Sequence, residues 1–116
     1  MVRPPRSTTL TITRGDVWLA TLDPTVGSEI QKTRPCVIIS PPEMHDHLLT
    51  LMVAPMTTGN RPAPFRIPVG FQGKIGLILL DQVRTLDKQR LVRRLGAVER
   101  KTLRATLARL RDIFAE

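Results

Sequence analysis

Glu29, Lys32, Thr33 and Arg34 fall within six residues of one another, between two apolar runs, Val17–Leu22 and Cys36–Ile39. Asp23, Pro24 and Gly27 are turn formers, so the chain can reverse between the runs. A carboxylate and a guanidinium held between two strands can be a chemical site; the same loop can also be a solvated hairpin tip. A second polar stretch, Met56–Pro62, adds Thr57 and Thr58. A small sheet places the ends of these strands side by side. Arg34 is a permanent cation whose planar donors suit a phosphate, and Pro35 restricts its backbone. Thr57 offers a hydroxyl to a phosphate oxygen. Glu29 can accept a proton or orient Arg34. Without a metal, such a set supports one phosphate chemistry well: the 2′-hydroxyl of RNA attacks its own phosphate. The substrate then brings its nucleophile, and the protein positions it, stabilises charge and moves protons.

Other chemistries fit less well. His45-Asp46-His47 lacks further ligands at a spacing that would close a metal site, and reads as a solvated loop. Cys36 lies inside an apolar strand, where a packed thiol is expected rather than a nucleophile. No glycine-rich phosphate loop or dinucleotide fingerprint occurs. No cofactor is therefore expected.

The elements that must hold the site follow from pattern. The 116 residues, 41% of them hydrophobic, suit one domain with one modest core. Residues 1–12, with two prolines and several Ser/Thr, read as a flexible arm, and 13–116 as the domain. Expected strands are Val17–Leu22, Cys36–Ser40, Leu49–Ala54 ended by Pro55, Phe65–Val69, Leu77–Leu80 and Arg93–Val98. Pro68 assigns the fourth to a sheet edge. Gly70–Gly76 reads as a turn, and Asp87–Leu91 as one helical turn. Glu99–Phe114 is the clear helix, with an apolar stripe of Leu103, Leu107, Leu110 and Phe114. The class is mostly β (α+β), a small barrel or sandwich closed by one helix.

No apolar run could span a membrane and no secretory signal is evident, so a cytoplasmic location is expected. The net charge is +8. Residues 84–116 hold ten Lys/Arg against four Asp/Glu, a net of +6, and residues 1–83 eight against six. A polyanion or an acidic protein is the natural partner.

Three stretches carry a family resemblance: Arg14-Gly15-Asp16-Val17-Trp18, Asp23-Pro24-Thr25-Val26-Gly27-Ser28-Glu29, and Thr33-Arg34-Pro35 through Ser40. With Pro55-Met56-Thr57-Thr58 and Asp81–Asp87, they resemble the MazF/PemK family of toxins over residues 13–115. The resemblance implies an SH3-like β-barrel with a C-terminal α-helix, acting as a homodimer. It implies metal-independent, sequence-specific cleavage of single-stranded RNA, leaving a 2′,3′-cyclic phosphate and a 5′-hydroxyl, which inhibits translation and growth. It also implies an antitoxin that covers the site, in a complex expected to bind operator DNA. The family's catalytic arginine maps onto Arg34, its threonine onto Thr57 and its acidic loop residue onto Glu29. Family members vary at this last position. Thr33 stands where some relatives carry histidine.

RNA contacts are expected from Gln31, Lys32, Thr33, Thr58, Asn60, Arg61, Phe65 and Arg66, with Phe65 the aromatic suited to stacking a base. Two other readings use the same fold or charge: a CcdB-like protein that poisons DNA gyrase by contact, and a non-catalytic nucleic-acid-binding module using the basic helix.

Overall fold

The computed structural model describes residues 11–59 and 61–116. Seven strands form one curled antiparallel sheet: β1 Asp16–Thr21, β2 Thr33–Ile38, β3 Thr50–Thr57, β4 Arg66–Phe71, β5 Lys74–Leu79, β6 Arg84–Asp87 and β7 Leu91–Ala97. Their order is β4-β5-β3-β2-β1-β7, with β6 also on β3. Among the described residues the α-helices are α1 Pro42–His45 and α2 Arg100–Phe114. This is the mostly-β class with a C-terminal helix that the sequence leads one to expect, the expected small barrel being a sheet curled into a half-barrel.

The central strands are apolar on both faces because both faces are covered. One core holds Trp18, Ala20, Leu22, Cys36, Ile38, Leu51, Val53 and Leu86. The other holds Val17, Val37, Ile39, Ala54, Met56, Val69, Ile78 and Leu80, with Leu110 and Val98 packed against it. Successive side chains of β1 and β2 alternate between the two, as a pleated strand requires. Ile12, expected to belong to the arm, is buried in the first core; residues 1–10 lie outside the described part.

β3 departs from expectation in a useful way. Pro55 does not end it: the strand continues to Thr57, and Pro55 pairs opposite Cys36. A proline is tolerated there because β3 changes partner. Its outer edge pairs with β6 over Thr50–Val53 and with β5 from Met56. Ala54 and Pro55 occupy the seam between those ladders, where a missing N–H breaks no bond. Pro68 lies on the terminal strand β4, as expected of an edge.

The Gly70–Gly76 segment is mostly strand rather than turn. Phe71 pairs with Lys74, so only Gln72 and Gly73 make the turn, both at positive φ (52° and 77°). Two consecutive left-handed residues give the tight reversal whose twist matches the strands. The helical turn expected near residues 87–91 is a 3₁₀ turn at Lys88–Arg90.

One polar expectation and one apolar one change. His45, read as part of a solvated loop, is 1% exposed. Its Nε2 lies 2.8 Å from the Ile12 carbonyl and its Nδ1 2.9 Å from Ser40 Oγ. A carbonyl can only accept, so Nε2 donates; Ser40 in turn accepts from the Met52 amide. The ring is a structural link between three segments. In α2 the deepest residue is Thr106, fully buried, its hydroxyl donating to Thr102 O at 2.9 Å. Phe114 ends the expected stripe but is 77% exposed.

Candidate active site

β2 begins at Thr33, so Arg34 projects from a strand rather than from a free loop. It pairs opposite Ala20 of β1, and its backbone is therefore fixed on a central ladder. Lys32, at φ 74°, turns the chain sharply just before the strand. The Arg34 Nε donates to the Gln31 carbonyl at 2.9 Å. One donor is thus used to aim the guanidinium. Nη1 and Nη2 have no partner among the described residues.

Thr57 is the last residue of β3, opposite Leu77 of β5. Its Oγ1 accepts from the Gly59 amide at 3.1 Å. The hydroxyl proton remains available to donate to a group bound in the cavity. Gly76 of β5 permits this arrangement: a Cβ there would collide with the Thr57 carbonyl oxygen and crowd its carbon at 3.1 Å. No other residue lets β5 lie so close to the end of β3.

Arg34 and Thr57 line one cavity of about 220 Å³, together with Thr58, Phe71, Gln72 and Lys74. The floor is apolar, from Pro35, Met56 and Val69. The cavity brings together two of the three expected catalytic residues. The third is elsewhere. Glu29 is exposed, and its Oε1 accepts from the Val26 amide at 2.9 Å within its own turn. It does not line the cavity.

Among the expected RNA contacts only Thr58 lines the cavity. Gln31, Lys32 and Thr33 are exposed beside Arg34. Phe65 is 38% exposed and lies outside the cavity. Arg66, expected to hold a phosphate, is instead occupied: Nε and Nη2 grip Asp81 at 3.1 and 3.0 Å, and Nη1 donates to the Arg61 carbonyl. The hydrogen bond to Asp81 holds its guanidinium above the ordinary arginine value. Arg61 itself is exposed, and Asn60 lies outside the described residues.

Sequence reasoning missed Phe71, Gln72, Lys74 and Gly76, because the glycines suggested a turn. The signal was present: Gln72-Gly73 between β-prone residues is a two-residue hairpin, and strand alternation then puts Lys74 and Gly76 on one face. It also missed what fixes the loop before Arg34. Gln82 accepts from the Ile30 amide at 3.1 Å and donates to Ser28 O at 3.4 Å. Arg84 donates to Leu22 O and Arg90 to the carbonyls of Thr21 and Asp23. Part of the basic excess near residue 84 therefore ties down the loop.

Cys36 is fully buried between Arg34 and the core, and burial pushes its thiol up to about 12. It stays protonated and takes no part as a nucleophile. No group of three or more His, Cys, Asp or Glu among the described residues is arranged to hold a metal.

The chain is similar to known proteins across most of its length. Residues 13–114 match the family described as PemK-like, MazF-like toxin of type II toxin-antitoxin system. Endoribonuclease PemK of Escherichia coli is 37% identical over 107 residues, covering 87% of this chain and 80% of that protein. Endoribonuclease MazF of Staphylococcus epidermidis is 41% identical over 90 residues, covering 72% and 75%. In fold, the crystal structure of MazF from Deinococcus radiodurans superposes with a TM-score of 0.80 at 22% identity, over 90% of this chain and 96% of that one. A mycobacterial endoribonuclease in complex with its cognate antitoxin gives 0.74 at 23% identity, over 88% and 93%. The chain belongs to the PemK-like, MazF-like toxin family of type II toxin–antitoxin systems.

Proposed function

We propose that this chain is an endoribonuclease toxin that cleaves single-stranded RNA within the cavity lined by Arg34 and Thr57. The observation that carries the reading is that one cavity with partly apolar lining is shared by the Thr57 hydroxyl and by Arg34, whose Nη1 and Nη2 have no partner among the described residues. Such a pair can hold the non-bridging oxygens of one phosphodiester. As the 2′-oxygen attacks, charge builds on those oxygens, and donors already aimed at them stabilise the transition state more than the ground state. The products are a 2′,3′-cyclic phosphate and a 5′-hydroxyl, and none of the steps requires a metal. Arg34 acts as a charge stabiliser, since a guanidinium does not give up its proton in a protein. Glu29 is the proposed proton acceptor. Its Oε2 has no partner among the described residues, and RNA entering beside the loop would have to draw it from Val26.

The partners follow the same reading. The relatives named as endoribonucleases, and the mycobacterial relative bound to its antitoxin, support an antitoxin that neutralises this chain. The +8 charge suits an acidic one. A homodimer is proposed through the groove of about 360 Å³ between sheet and helix, where Met52, Leu107, Leu110 and Phe114 meet solvent. The toxin–antitoxin complex is proposed to bind operator DNA. The toxin is proposed to act in the cytoplasm; no helix among the described residues is long and apolar enough to cross a membrane.

Incubating the purified protein with a long single-stranded RNA in EDTA tests the reading. Discrete cuts bearing cyclic phosphate ends are expected, with Arg34→Ala and Thr57→Ala each slower by about 10²–10³-fold. Glu29→Gln at full rate would move the proton acceptor to water. Retention without cuts would make the chain a nucleic-acid-binding module, and no interaction with RNA would point to a protein target such as gyrase.

A further inference from the structure

We propose that Lys74 is a catalytic residue, the acid that protonates the 5′-oxygen as it leaves the phosphorus. The inference rests on the reading of the Arg34–Thr57 cavity as the cleavage site. Breaking the P–O5′ bond leaves an electron pair on an alkoxide, a poor leaving group unless it takes up a proton. Among the side chains that line the cavity, only Lys74 carries a proton it can give away. Arg34 keeps its own. Thr57, Thr58 and Gln72 are neutral donors, and the remaining lining is apolar or glycine.

Placement supports the role. Lys74 is the first residue of β5 and shares a face with Gly76, the residue against which Thr57 is seated. Strand alternation aims its side chain to the cavity and leaves Ile75, 83% exposed, on the far side. The hairpin that carries it is held at its tip. Gln72 donates from its side chain to Leu95 O at 3.3 Å, and Gly96 lies close against the Phe71 ring. Lys74 forms no ion pair or side-chain hydrogen bond with the described residues. Arg34 enters from β2, on the opposite side of β3 from β5. A phosphodiester bound in the cavity would therefore lie between a group from β2 and a group from β5.

The step balances without a further reactant. The 2′-oxygen forms its bond to phosphorus and loses its proton to the acceptor proposed above. The P–O5′ bond breaks, and its electron pair takes a proton from Lys74 Nζ. Solvent restores the ammonium.

A cleavage site mapped on the long RNA is placed in a short oligoribonucleotide made with either a 5′-oxygen or a 5′-bridging sulfur at the scissile bond. Sulfur leaves as a thiolate and needs no acid. Lys74→Ala is expected to slow the oxygen substrate by about 10²–10³-fold and to cleave the sulfur substrate at close to the wild-type rate. Arg34→Ala, whose charge stabilisation both substrates need, remains slow on both. Equal loss by Lys74→Ala on both substrates would overturn the proposal and reduce Lys74 to a phosphate contact; full activity on both would remove it from the site. If the wild type cuts neither the long RNA nor the oligomer, the cleavage reading itself falls, a result distinct from both. Lys74 is exposed, so the variant is expected to keep the wild-type thermal melt.

Discussion

At the scale of single residues, the site shows how the same side-chain type takes different tasks according to its neighbours. Among the described residues, Arg34 keeps two nitrogens without a partner, Arg66 gives its guanidinium to Asp81, and Arg90 gives its own to backbone carbonyls. Arg94 pairs with Asp16, whose buried carboxylate also accepts from Thr13 N and the Trp18 ring. Position along the chain does not separate these cases; partners do. Cys36 gives a further residue-scale expectation. Burial pushes its thiol from the ordinary value of 9.0 up to about 12 in the fold. Between those values the unfolded chain loses a proton that the native one keeps, so stability falls as pH rises. The slope from this group approaches ~1.4 kcal/mol per pH unit. The chain has no tyrosine to add to it in that range. Urea midpoints measured from pH 8 to 11 should fall less steeply for Cys36→Ala than for the wild type. The native thiol should also resist alkylation until the protein unfolds.

Elements position the site through close approach and through clamps. Gly76→Ala drives a methyl group into the Thr57 carbonyl, so β5 must back away from β3. The expected result is a loss of about 1–3 kcal/mol in stability and a fall in RNA cleavage larger than that loss explains. Chemical denaturation and single-turnover rates on the same preparation separate the two effects. Gln82 spans the first loop with two hydrogen bonds from one amide. Gln82→Ala should speed hydrogen exchange at Ile30 while leaving the exchange of Val37 and Val53 unchanged. Much of this level was legible in the sequence. Strands rich in Val, Ile and Leu, and a helix with a clear stripe, declare themselves by period. What misled were the residues that normally punctuate. Pro55 falls on a seam where its missing N–H breaks no bond, and Gly70, Gly73 and Gly76 belong to a hairpin instead of a long turn. Lys74 was hidden for that reason: its part in the cavity depends on a register that only the fold settles. His45 was hidden likewise, because its partners Ile12 and Ser40 come from other segments.

At the scale of the molecule, charge and apolar surface are divided. α2 carries Arg100, Lys101, Arg104, Arg109 and Arg111, and its last turn leaves Ile113 and Phe114 exposed at 43% and 77%. A helix end of this kind on the rim of an apolar groove is expected to be covered by a second copy. Light scattering at micromolar concentration should return twice the 13.0 kDa of the chain, and Phe114→Glu should return it once. The family assignment extends from residue 13 to 114, so the groove and the cavity lie in the shared domain.

The seam in β3 has one more consequence. Arg34 stands on the β2 side of that strand, while Thr57 lies beyond the point where β3 turns to β5. The two residues thus sit on either side of the seam. A substitution at Ala54 or Pro55 that changes the course of β3 is expected to move them apart without touching either. Under the proposed function, RNA cleavage is expected to fall when the sheet is disturbed from its back at this seam, as well as when the mouth of the cavity is blocked.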